Sequence, residues 1–302
     1  MLENELQNIL TTPSRPGAMK RLECLLKDHL PGHESPNLSP RTAMDILRAY
    51  QSIWLHTPDH LRDTNLLSRV QKRMKQSVPA FPDLLPDIPQ DALIDPGKGT
   101  GLSYARLRTF IRDFKLPTLA KKRPRPRVAV MLPNGPILAL AVLAVASKYT
   151  LVPMARTTAP EQVKDDLEAV DAAAILMLEE DVQSFQMDDS VPVFGVHPKE
   201  DLTFTLTSDM SFDVDDGTGP VDDWTGPDDI AIILFTSGTS GKKKLVPVTG
   251  YNLFAAAVFT MDSVALDPSS RCLNMMPLHH MYALSYPHTL SLSFNPLLSI
   301  IY

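Results

Sequence analysis

The sequence predicts an α/β protein, a mostly parallel sheet with flanking helices, preceded by a helical N-terminal region. Three observations carry this reading. From Gly99 onward, short β-branched runs alternate with helical patterns, as strands joined by crossover helices do. Ile230–Phe235 is a continuous apolar run bounded by polar residues, which suits a strand buried on both faces. Before residue 90 the apolar spacing is helical instead, so residues 1–90 read as a helical extension closing in a Pro-rich linker, and residues 96–302 as a second domain.

In chain order, helices are expected over Leu2–Leu10, Ala18–His29, Ser39–His56 and Leu61–Gln76. Ser39-Pro40 offers a helix start with Pro at the first helical position. On that helix Ala43, Ile46, Leu47, Tyr50, Ile53 and Trp54 recur at helical spacing, a packing stripe rather than a cofactor box. His29, His33, His56 and His60 are scattered and read as exposed or capping side chains. Pro79, Pro82, Pro86 and Pro89 mark a linker or an extended arm.

Leu102–Ala105 then turns into a helix over Arg106–Phe114. The basic run Lys121–Arg127 has the composition of a nuclear signal, but prolines interleave the charges, and a solvated loop leading into a buried strand at Val128–Leu132 is expected. Pro133-Asn134-Gly135-Pro136 turns the chain into a helix over Ile137–Ser147, and Leu151–Met154 is the next strand. A helix over Pro160–Ala169 is expected to start at the capping pair Thr158 and Glu161, followed by a buried strand at Ala173–Leu178. Asp181–Pro227 reads as irregular and acidic. Its Asp215–Gly219 cluster lacks the spacing and terminal Glu of an EF-hand, so a solvated loop is preferred to a calcium site. After the apolar run at Ile230–Phe235 comes a helix over Tyr251–Ala265.

Composition narrows the function. A chain of 302 residues with 44% hydrophobic and 21% charged residues is an ordinary globular protein, and its net charge of −6 argues against a general nucleic-acid partner. The longest apolar segment, Ile137–Ala146, is too short to span a bilayer, and Met1–Leu10 has no signal-peptide core, so neither secretion nor a membrane span is expected. Cys24 and Cys272 form no metal-ligand spacing, and plain thiols in a reducing, cytoplasmic setting follow.

The chemistry concentrates in Asp228–Pro247, DDIAIILFTSGTSGKKKLVP. Thr236, Ser237, Thr239 and Ser240 are hydroxyls able to donate to phosphate oxygens, and Gly238 and Gly241 let backbone N–H groups approach closely. Lys242, Lys243 and Lys244 add the charge that a polyphosphate needs neutralised. A phosphate-gripping loop and a solvated hairpin with a polar tip both satisfy this composition. A Walker A loop does not, since only two residues separate Gly238 from Gly241 and the lysine is not followed by Ser or Thr. No G-x-G-x-x-G dinucleotide fingerprint occurs.

TSGTSGKKKLVP resembles the signature loop of the adenylate-forming superfamily, which contains acyl- and aryl-CoA synthetases, luciferases and the adenylation domains of nonribosomal peptide synthetases. Against the family form [YF]TSG[ST]TGxPKG, Phe235 through Gly241 match position by position, with Ser240 in place of Thr, and Lys244 falls on the lysine. Lys243 stands where the family has Pro, and Leu245 where it has Gly. Leu102–Phe114 resembles the family's early strand-to-helix turn, Val128–Met154 its first core elements, and Pro277–Leu284 its next motif, in which His280 takes the histidine position and His279 replaces an aromatic.

The resemblance implies the large domain of an adenylate-forming ligase, which activates a small-molecule carboxylic acid with ATP and Mg²⁺ and passes the acyl group to CoA or to the phosphopantetheine of a carrier protein. It implies that Thr236, Ser237, Gly238, Thr239, Ser240, Gly241 and Lys244 grip the phosphates, and that His280, the candidate catalytic residue, borders the acyl pocket. No metal ligand is assigned in this chain. The resemblance covers Pro96–Tyr286, the first half of the family's large domain, so a truncated member is expected, without the Glu-bearing magnesium segment, the ribose-holding Asp or the C-terminal catalytic lysine. A non-catalytic nucleotide-binding or interaction fragment stands as the alternative.

Overall fold

The computed structural model describes residues 2–29, 39–76, 78, 80–116, 125–182, 191–208, 224–236, 243–265, 270–274, 276–279 and 299–301. The chain divides into two compact units, Met1–Leu84 and Leu85–Tyr302.

The first unit is helical: α1 (Leu2–Thr11), α2 (Ala18–His29), α3 (Pro40–His56), α4 (Thr64–Gln76) and the single turn α5 (Phe81–Leu84). Ser39 caps α3 as its spacing predicts, its hydroxyl accepting from the Thr42 N–H, with Pro40 in the first turn. The stripe on α3 is core: Ala43, Ile46, Leu47 and Ile53 are buried, and Tyr50 stacks on Trp54. The expected helix from Leu61 begins instead at Thr64, because Asp63 caps it by accepting from the N–H groups of Asn65 and Leu66, while Asp59–Leu61 forms a separate 3₁₀ turn. His29 and His56 each bond the carbonyl four residues back, Leu25 and Ser52. Arg69 reaches from α4 to the buried Glu23 of α2 at 2.7 Å and, with Lys27, holds that carboxyl below the usual carboxylate range.

The second unit contains β1 (Asp91–Asp95), β2 (Thr100–Ser103), α6 (Tyr104–Asp113), β3 (Arg127–Met131), α7 (Pro136–Lys148), β4 (Thr150–Pro153), α8 (Pro160–Ala169), β5 (Ala174–Leu178) and α9 (Glu179–Val182). It continues with β6 (Val193–Pro198), β7 (Phe204–Ser208), β8 (Ile230–Thr236), β9 (Lys244–Thr249), α10 (Gly250–Ser263), β10 (Arg271–Leu273) and β11 (Ser299–Ile301). The main sheet has seven strands in the order β7-β6-β5-β3-β4-β8-β9. The five inner strands run parallel, and β7 and β9 fold back antiparallel at the two edges. A smaller sheet, β10-β11-β1-β2, pairs β1 antiparallel to β2 and parallel to β11.

The parallel strands are apolar without alternation because both faces are covered. Val163, Leu167 and Val170 at the α8 end pack with Ala129, Met131, Val152, Ile175, Met177 and Ile233 on one face. Against the other face lies α7, which is apolar nearly all round and buried from Leu138 to Val145, as a helix enclosed on every side must be.

Four expectations need correction. The proposed capping pair does not start α8: Ala159 is its N-cap, with no side-chain bond, and Pro160 in the first turn sets the helix direction instead. Asp181–Pro227 is not wholly irregular, since it holds β6 and β7, whose Phe194, Val196 and Phe204 are buried. The Pro-rich arm yields a strand, β1. Arg125, read as part of a solvated basic loop, is largely buried: it pairs with Asp229 at 2.7 Å and donates to the carbonyls of Lys148 and Trp224.

Candidate functional site

In a parallel sheet, ligands gather outside the carboxyl ends of the strands, because loops leave there and backbone groups point outward. Two strands and one helix contribute polar residues here. The first is β8, fixed in place by Ala231, Ile232, Ile233 and Leu234, all buried. It ends at Thr236, and the chain returns antiparallel as β9, with Thr236 opposite Lys244 and Phe235 opposite Leu245. The hydroxyl and ammonium side chains at the mouth of this hairpin are both exposed. The hairpin and phosphate-loop readings are therefore compatible: the hairpin is the scaffold. Its base is clamped where Gly250 meets Gly226. A Cβ on Gly250 would stand 2.6 Å from the Gly226 carbonyl oxygen, so only glycine lets α10 begin there.

The second contribution follows β3. Asn134 accepts from the Leu278 N–H at 3.1 Å and donates to the Met276 carbonyl at 3.4 Å. This two-sided clasp brings the Pro277-Leu278-His279 segment to the β3–α7 turn, with Leu278 fully buried. Nearby, Asn274 is buried, its Oδ1 accepting from Met276 N–H at 3.1 Å, while its Nδ2 has no hydrogen-bond partner among the described residues.

The third comes from α8. Asp166, 4% exposed, accepts from Lys243 Nζ at 2.6 Å and from Gln162 Nε2 at 3.0 Å. Lys243 also stands 5.3 Å from the Phe235 ring centroid.

Of the residues singled out from the sequence, Thr236 and Lys244 are brought face to face. Ser237, Gly238, Thr239, Ser240, Gly241 and His280 lie outside the described residues. Sequence reasoning missed Asn134 as a clasp and Asp166 as a partner. A signal for Asp166 existed: Val163, Asp166, Leu167 and Val170 are one helical stripe, and a carboxylate on an apolar stripe needs a cation.

In the second unit, Asp201, Tyr104 and Cys272 have shifted proton affinity, and none of them is among the site residues described above. Thr203 and then Arg106 hold the Asp201 carboxyl below the usual range. Burial pushes the Tyr104 hydroxyl and the Cys272 thiol up, which disfavours both as nucleophiles. Among the described residues no group of three His, Cys, Asp or Glu side chains could hold a metal ion, and no helix is long and apolar enough to cross a membrane.

Comparison with known proteins agrees with this architecture. A 58-residue stretch is 43% identical to 2-succinylbenzoate–CoA ligase of Staphylococcus aureus, covering 19% of this chain and 12% of that enzyme. The fold is similar to O-succinylbenzoate coenzyme A synthetase (MenE) from Bacillus subtilis in complex with ATP and magnesium ion, with TM-score 0.56 and 18% identity over 74% of this chain and 45% of that one. It is similar also to MatB from Rhodopseudomonas palustris, with TM-score 0.55 and 18% identity over 74% and 44% of the two chains. The chain thus spans less than half the length of these solved relatives. The AMP-binding enzyme family matches residues 89–294, more than half of the sequence, and the chain belongs to that family.

Proposed function

We propose that this chain carries the phosphate-gripping half of an enzyme that activates a small-molecule carboxylic acid as its acyl-adenylate, with the nucleotide chemistry in residues 96–302. The observation that carries the proposal is the Thr236–Lys244 pair at the carboxyl end of the parallel sheet, at the mouth of a hairpin whose sequence matches the family signature. In the reaction a carboxylate oxygen attacks the α-phosphorus of ATP. The bond from that phosphorus to the bridging oxygen breaks, and pyrophosphate leaves with the electron pair. Negative charge grows on the leaving group, and a fixed ammonium beside hydroxyl donors stabilises it. Lys244 supplies the ammonium and Thr236 a hydroxyl; by sequence match Ser237, Gly238, Thr239, Ser240 and Gly241 line the rest of the grip. Mg²⁺ would add charge neutralisation on the phosphates, with ligands from outside the described residues.

The second half-reaction is acyl transfer to a thiol, of CoA or of a carrier protein's phosphopantetheine. The thiolate attacks the acyl carbonyl and AMP leaves. The similarity to a CoA ligase supports CoA as acceptor. His280 is proposed to border the acyl pocket, next to the Leu278 segment that Asn134 clasps. The free thiols Cys24 and Cys272 support a reducing, cytoplasmic setting.

ATP–pyrophosphate exchange across a panel of carboxylic acids, with ATP binding measured in parallel, tests this reading. Exchange that is lost in Lys244→Ala is the expected result. Binding without exchange would make the chain a nucleotide-binding module, and no ATP binding at all would defeat the proposal.

A further inference from the structure

The run Lys242-Lys243-Lys244 poses a register problem that local sequence cannot solve. Side chains alternate across a strand, so a slip of one residue carries every side chain to the opposite face. Register is strongly specified only where one face of the strand is buried, and on β9 only Val248 is buried while Lys244, Leu245 and Pro247 are exposed. With lysines at consecutive positions, a slipped strand would still present an ammonium at each place, and the β8–β9 ladder already carries one irregularity near Ile230. Something outside the hairpin has to distinguish one lysine from the next.

Asp166 does so. Phe235 packs against the α8 side of the sheet, and its cross-strand partner Leu245 shares that face. Lys243, two residues before Leu245, falls on the same face and meets Asp166 at 2.6 Å. Lys244 and its partner Thr236 therefore stand on the other face. We propose that Asp166 is a positioning residue for the phosphate loop: by holding Lys243 against α8 it sets the register of β9, so that Lys244 is the cation presented beside Thr236. The proposal rests on the phosphate-gripping reading of the hairpin.

The physical economy favours positioning over stability. With Asp166 buried and Lys243 partly exposed, the pair contributes little net stability, because screening on one side and desolvation on the other offset the Coulomb gain, and selecting one register among several is the best-attested use of such a pair. Asp166 meets the requirement for such a selector. It is buried and made on a separate element, and Gln162 fixes its second oxygen at 3.0 Å, so its carboxylate is in place before β9 arrives.

Amine acylation of the full chain, followed by mass spectrometry, reads the two lysines separately. Lys243 is expected to react more slowly than Lys244, because its amine is engaged by Asp166 at 2.6 Å. ATP with magnesium should slow Lys244 and leave Lys243 unchanged. In Asp166→Asn the two rates should converge, and the dissociation constant for ATP should rise about threefold, the change expected from loss of one partly exposed ion pair. Lys243→Arg, which keeps a cation for Asp166, should bind ATP more tightly than Lys243→Met, which should match Asp166→Asn. These two variants change a side chain more than a third exposed, so they carry the test if the α8 variant does not fold. Unchanged labelling of Lys243 in Asp166→Asn, or wild-type ATP affinity there while Lys244→Ala has lost it, would overturn the inference. If ATP protected neither lysine in the unaltered chain, the phosphate reading would fall, while the labelling difference would still decide whether Asp166 sets the register.

Discussion

The two ends of the parallel sheet handle charge in opposite ways. At the amino ends of β3, β4 and β8, cations are drawn inside. Lys148 is 1% exposed, donates to the carbonyls of Arg112 at 2.7 Å and Phe114 at 2.9 Å, and lies 4.7 Å over the Trp224 ring. Arg125 beside it joins Asp229 and two carbonyls, and Thr225 ties the same corner to Ala146 and Ser147. At the carboxyl ends, Thr236 and Lys244 are left exposed, while Lys243 is tied to Asp166 and Arg156 to Glu180 and Asp181. The first arrangement closes the sheet by satisfying carbonyls that have no strand to pair with. The second leaves the Thr236 hydroxyl and the Lys244 ammonium exposed to solvent, which is what the proposed phosphate grip requires.

Substitution at each end should break the comparison differently. Lys148→Met orphans two carbonyls and should destabilise the fold by about 3 kcal/mol, roughly a 6–12 °C fall in melting temperature by calorimetry, with ATP affinity unchanged wherever the fold persists. Lys244→Ala is the converse: ATP binding by titration calorimetry should weaken about thirtyfold, near 2 kcal/mol, with stability altered by no more than about 0.5 kcal/mol. Asn134→Ala removes both bonds of the clasp, one of them long at 3.4 Å, and should lower stability by about 1 kcal/mol, with faster amide exchange at Leu278 as its specific mark.

The smallest effect concerns acid. Glu23 and Asp201, one in each unit, are held below the usual carboxylate range by hydrogen bonds and cationic neighbours. A carboxyl with a depressed folded-state affinity for protons adds stability that is complete above the unfolded value, about 4, and is lost as pH falls through the folded value. Melting temperature against pH should therefore drop below about pH 4, and Glu23→Gln should differ from the unaltered chain above that pH and converge with it below.

The inner sheet was legible because its strands are apolar on both faces, so composition alone marks Val128–Leu132 and Ile230–Phe235. Helix α3 was legible from its Ser39-Pro40 start and its apolar stripe. The edges were not. On β9 the pattern Lys-Leu-Val-Pro-Val-Thr neither alternates nor runs apolar, and Pro247 argues against a strand unless it lies at an edge, which is where it lies. Half-exposed β7 hid within an acidic stretch for the same reason. At the site, the family motif gave Thr236 and Lys244 by position. Asp166 and Asn134 act across long chain separations, 77 residues for the Asp166 pair and 144 for the clasp, and local pattern carries no such information.

The β8–β9 hairpin also has a place in the order of folding. Its two strands are neighbours in sequence, so they can pair before anything distant has closed. Its attachment to β4 joins Thr150 to Ile230 across 80 residues, a slow closure by comparison. The hairpin that bears Thr236 and Lys244 thus takes shape early and docks late. In refolding from denaturant, Lys243 would therefore meet Asp166 only at the docking step, after the hairpin that carries it has already paired.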